Sequence, residues 1–114
     1  MPSIYKILPR EDWDAAQAAG AFAGAGVDLT DGFIHFSTAE TAQDTARLHF
    51  PGRANLVLLR IDSEALGAAL KWEPSRGGTL FPHLYGQLDC KLVLDARALA
   101  LGDDGVPALG ALAP

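Results

Sequence analysis

The run Asn55 to Ser63, NLVLLRIDS, places the strongest single constraint on the fold. Four aliphatic residues in succession leave no polar face, so this segment reads as an interior strand, with Ser63 capping a short helix over EALGAAL. A second strand, SIYKIL, is apolar enough on both faces to be interior as well, and Pro9 closes it. A long final strand is expected over DCKLVLDARAL. Between them REDWDAAQAAG carries acids at its start and Gly20 at its end, as a helix should, with Trp13 and Ala16 on its inward stripe.

The remaining segments are shorter. AFAGAGVDLTDG is rich in small residues and reads as a loop, and GFIHFS as a strand. A helix is expected from about Ala39 to His49, with Thr38 as its N-cap, ended by FPGR. KWEPSRGGTLFPHLYG is the least regular part: a short strand, a Gly-Gly loop and the piece PHLYG. The order is strand, helix, strand, helix, strand, helix, then two or three strands. It predicts an α+β fold with a split or strongly curved sheet and two to three short helices, as one domain over residues 1–102. Residues 103–114 have no periodic pattern and are expected to form a fraying tail.

Composition narrows the function. A hydrophobic fraction of 49% and a charged fraction of 20% are those of a globular chain. Nine basic against fourteen acidic residues, a formal charge of −5, argue against the broad basic surface that nucleic-acid binding needs. The single cysteine, Cys90, has no partner for an internal disulfide, which fits a reducing compartment, and its strand context suggests a buried apolar role. No run approaches the ~20 apolar residues of a membrane span, and the first residues lack a signal-peptide core. The expected location is the cytoplasm.

Two constellations could carry chemistry. In DGFIHFST, strand alternation puts Phe33, His35 and Ser37 on one face and Ile34, Phe36 and Thr38 on the other. With Ile34 and Phe36 in the core, His35 and Ser37 face solvent or a cleft. In KWEPSRGGTLFPHLYG, the residues Trp72, Glu73, Arg76, His83 and Tyr85 gather around Gly77-Gly78, mixing stacking surfaces with polar groups as ligand clefts do. The alternative is structural: Trp72, Phe81 and Leu84 in the core and Glu73 paired with Arg76 at the surface. Burying Leu84 with Ile34 and Phe36 would bring His35 and His83 to one cavity. His35, His49 and His83 have no metal-ligand spacing, so no metal site is expected. Neither a nucleophile elbow nor a Gly-rich phosphate loop is present.

Together IYKI, DGFIHFSTAE, LVLLRID and KWEPSRGGTLFPHLYG resemble a small bacterial family catalogued as domain of unknown function 952, from about Ile4 to Leu101. That family is similar in fold to ADP-ribosyltransferases and RNA 2′-phosphotransferases, which hold NAD or an ADP-ribosylated intermediate in the cleft of a split sheet. The resemblance implies His35 as the first-motif histidine, with Ser37 and Thr38 beside it, and Glu73 as the catalytic carboxylate. Trp72 or Tyr85 would stack on a ring, and Arg76 and His83 would add polar contacts. NAD would then be a substrate rather than a resident cofactor. Two other readings are a binding module that keeps the cleft without chemistry, and a small-molecule hydrolase using His35 or His83 as general base. The hydrolase predicts an imidazole with an orienting carboxylate in reach.

Overall fold

A computed structural model describes residues 2–114, with Arg76 described in its backbone alone. Ten strands run in chain order: β1 Ser3–Pro9, β2 Ala21–Phe22, β3 Ile34–His35, β4 Ser37–Thr38, β5 Leu56–Asp62, β6 Leu70–Pro74, β7 Leu80–Leu84, β8 Leu88–Asp89, β9 Val93–Leu101 and β10 Pro107–Ala108. The helices are α1 Arg10–Ala19, α2 Val27–Asp31 and α3 Ala42–His49, with 3₁₀ turns at Ser63–Ala69, Arg76–Gly78 and Cys90–Leu92. Every strand pairing is antiparallel.

The aliphatic run becomes β5, at the centre of a five-stranded sheet of order β10-β9-β5-β1-β4. Leu56 and Leu58 point to one face and Val57, Leu59 and Ile61 to the other, all nearly inaccessible. Each face therefore needs its own cover. On the first face Tyr5, Ile7, Leu56 and Leu58 pack with Ala42 and Ala46 of α3 and with Leu109. On the second, Ile4, Leu8, Val57, Leu59 and Ile61 pack with Trp13, Ala16, Phe22 and Leu84. That second cover includes a smaller sheet, β3-β7-β6, and a two-stranded ladder of β2 with β8. The architecture is α+β with its sheet split, as the sequence implied.

Several boundaries differ from the sequence reading. GFIHFS is not one strand: Ile34–His35 pairs with β7, whereas Ser37–Thr38 pairs with β1. The chain changes sheets at Phe36, whose amide donates to Pro82 O at 3.0 Å and whose ring is buried in the second core. Helix α3 starts at Ala42 with Thr41 as N-cap, not with Thr38, which lies in β4 and whose amide donates to Thr41 Oγ1 at 2.9 Å. The short helix after β5 is a 3₁₀ turn capped by Asp62, which accepts from Glu64 N; Ser63 instead donates to Pro2 O. The small-residue loop contains α2. Cys90 sits in a 3₁₀ turn, not a strand; its thiol donates to Ala16 O at 3.4 Å, and burial raises its pKa.

The expected tail is part of the packed molecule. Pro107–Ala108 pairs with β9, Leu109 is 1% exposed, and the Tyr5 hydroxyl donates to Ala113 O at 2.6 Å. Leu109, with Val106 and Leu112 packed beside it and a few anchored backbone groups, holds a segment that shows no periodicity in sequence.

Candidate functional site

The split leaves a cavity of about 590 Å³ between β1 and β4 of the large sheet and β7 of the small one. Residues 25–28 close one side, and Thr45 and His49 of α3 with its C-cap Phe50 form another part of the wall. Its floor holds His35, Ser37 and His83, so three of the expected site residues meet in it. His35 and His83 lie directly opposite in the β3–β7 ladder, which puts both rings on one face, 5.3 Å apart. Phe33 joins them, stacked on His83 at 4.2 Å and tilted against His35 at 4.6 Å.

The two histidines are held differently. His35 Nδ1 lies 2.7 Å from Asp28 Oδ1 and Nε2 lies 2.9 Å from Asp31 Oδ2, both carboxylates being carried by α2. Each ring nitrogen is thus engaged. Asp28 is almost wholly buried; it also accepts from the amides of Ala25 and His35 and from Lys6 Nζ at 2.9 Å. Burial works to raise the pKa of Asp28, but the Lys6 charge and the His35 and Lys6 hydrogen bonds outweigh it and leave it lowered. Burial lowers the pKa of Lys6, against the pull of Asp28. A buried ion pair therefore pins α2 to β1, and His35 is the third member of the cluster.

His83 is 6% exposed, and its Nδ1 lies 2.9 Å from Glu73 Oε1. Tyr85 donates its hydroxyl to the same oxygen at 2.7 Å. The Tyr85 bond, then the His83 bond, hold the Glu73 carboxyl below its ordinary pKa, and Glu73 in turn raises Tyr85. A carboxylate only accepts, so Nδ1 carries the hydrogen and Nε2 of a neutral ring is left as an acceptor. Among the described residues no buried side-chain nitrogen or oxygen lacks a partner, and Nε2 has no protein partner. That nitrogen must reach accessible space, and the ring lines the cavity.

The other expected residues lie elsewhere. Glu73 and Tyr85 stand behind His83 and not on the cavity wall. Trp72 is 43% exposed on β6 opposite Pro82, away from the cavity. Thr38 is used by Thr41, and Ser37 Oγ lies 2.8 Å from Thr45 Oγ1 while facing the cavity. The Arg76 side chain falls outside the described residues. Lys6, Asp28 and Asp31 were not singled out from sequence. Lys6 left a signal, a lone charge between Ile4 and Leu8 on an inward face; Asp28 left none that a polar loop residue would not also leave. Among the described residues no cluster of three His, Cys, Asp or Glu side chains is placed to hold a metal ion, and no helix is long and apolar enough to cross a membrane.

An antiparallel α+β domain with a carboxylate-backed histidine in a split-sheet cavity is the class this geometry defines. The chain belongs to the family described as protein of unknown function (DUF952), which matches residues 7–96. It is similar to protein CC0527 from Caulobacter crescentus. The crystal structure of that protein is 57% identical over 95% of each chain, with a TM-score of 0.93. Its solution NMR structure, also 57% identical, covers 96% of this chain and 95% of that one at a TM-score of 0.87. No curated protein matches.

Proposed function

We propose that the cavity binds a small polar molecule of nucleotide type, NAD or an ADP-ribose derivative, and that His83 is the proton-transfer group acting on it. The observation that carries the reading is the Glu73–His83 pair: Nδ1 held by a carboxylate, on a ring that lines a cavity within the 300–1,000 Å³ of ordinary ligand sites. The nucleotide class rests on the resemblance to ADP-ribosyltransferases. Phe50 and Phe81 in the wall supply apolar and stacking surface for a base, and Ser37 supplies a polar contact for a ribose.

In such a transfer the attacking water or hydroxyl gives its proton to His83 Nε2 as its oxygen bonds the ribose carbon. The bond from that carbon to nicotinamide breaks, and its electron pair leaves with the ring. Glu73 then serves by orienting His83 and stabilising its charged form, not by touching the sugar. Binding without chemistry is the second reading: Glu73 is off the wall, and the carboxylates that line the cavity are Glu11, Asp12 and the Asp28 already bound to Lys6 and His35.

Isothermal titration with NAD and ADP-ribose, followed by assay of released nicotinamide, separates these. Binding with turnover that falls ~10²-fold or more in His83→Ala, at near-constant affinity, is expected. Binding without turnover leaves the module reading. No heat with either ligand at millimolar concentration removes the nucleotide class.

A further inference from the structure

The outer edge of β9 offers a second function, independent of the cavity. Over residues 93–99 one side of β9 pairs with β5, while β10 covers the other side only at Ala100 and Leu101. Among the described residues no strand flanks the rest of that side. The exposed edge is also apolar, with Leu94 at 53% accessibility and Ala96 and Ala98 exposed beside it. An open edge of this length and character is a template for another strand.

We propose that β9 pairs antiparallel with β9 of a second copy of this chain, about a two-fold axis through Ala96. Such an axis keeps each side chain on its own face, so pairing must be centred on a residue. Centring on Asp95 or Arg97 would place like charges directly opposite each other. Centring on Ala96 puts Asp95 against the partner's Arg97 and Arg97 against the partner's Asp95, so both pairs are of opposite sign. On the other face Ala96 meets its own counterpart, while Leu94, the residue that the register shift leaves without a partner in β5, lies at the end of the paired stretch. The same register uses the open edge most fully, because Ala96 is the midpoint between the register shift at Arg60/Ile61, opposite Val93 to Asp95, and the start of β10 cover. Charge complementarity and the limits of the edge select one register.

Asp95 is exposed and, among the described residues, makes no hydrogen bond or ion pair, but it lies directly opposite Arg60 in the β5–β9 ladder, so a change of its charge is also felt within the chain. Arg97 is less suitable alone, since it donates to Leu109 O. Sedimentation and light scattering from micromolar to millimolar protein should show a mass approaching twice the 12.0 kDa chain. Asp95→Lys, which sets Lys against the partner's Arg97, should weaken association at least ~10-fold, and Asp95→Asn, which removes the charge without placing a cation opposite Arg60, should weaken it less while leaving the melting profile nearly unchanged. The double variant Asp95→Lys, Arg97→Glu should regain it. A monomer across the range, or a dimer that Asp95→Lys leaves intact, overturns the proposal.

Discussion

Asp28 accepts from a lysine, a histidine and two backbone amides, and this network sets the cost of changing each member. Replacing it by Asn leaves the Lys6 ammonium buried without a counter-charge, at about 3 kcal/mol or more. That corresponds to a fall of at least ~12 °C in Tm. Adding Lys6→Met should recover much of the loss, since a buried pair exchanged for apolar groups is near neutral. His35→Ala is milder: the ring is partly accessible, and Asp28 keeps Lys6 and both amides. We expect about 1–2 kcal/mol and a Tm fall below ~10 °C. The pH dependence follows in sign. A depressed Asp28 pKa adds stability above the ordinary carboxylate value near ~3.9, lost as pH falls through the lower folded value. Melts in acid should therefore be less steeply pH-dependent in Asp28→Asn than in the parent.

Helix α2 is held by its buried acid more than by its own length, and the backbone before it is shaped accordingly. Gly24 has φ +111°, and a Cβ there would lie 2.9 Å from Asp28 Cβ. Gly24→Ala meets both strain and collision, costing about 2 kcal/mol or more and stripping hydrogen-exchange protection from α2 amides first. Gly20, the C-cap of α1 at φ +86°, has open space around it, so Gly20→Ala should cost only about 1 kcal/mol. Urea melts of the two variants give the comparison. The same contrast explains what was legible. α1 carries a helical stripe and β1, β5 and β9 carry sustained apolar runs, and all four fall within a few residues of their expected bounds. α2 is too short for a period, and the Lys6–Asp28 pair depends on bringing together residues 22 apart in the chain. His35 and His83 were legible as cavity neighbours, because alternation about Ile34 and Leu84 fixes their face. Their differing partners were not, since Asp28 and Asp31 come from the unforeseen helix.

At the scale of the molecule, the aliphatic β5 demands cover on both faces, and the two covers differ in how they are read. The α1 side is announced by a helical stripe; the opposite side is completed by a segment with no pattern. Gln43 of α3 donates to Pro107 O at 2.9 Å and accepts from Leu109 N at 3.2 Å, so the C-terminal segment straps α3 to the sheet. Leu109 itself fills the space among Tyr5, Leu56, Leu58 and Leu99. Leu109→Ala should therefore cost 2–5 kcal/mol, as a core truncation does, and lower Tm by roughly 8 °C or more. A fraying tail would give a change within ~0.5 kcal/mol. The strap also acts at a distance: α3 carries Thr45 and His49 to the cavity wall. Loosening it should raise hydrogen exchange along α3 while β3 and β7, anchored in the other core, keep their protection. Equal loss of protection in α3 and β7 would mean that the two faces of the sheet unfold as one unit, and that the strap holds the whole core and not one side of it.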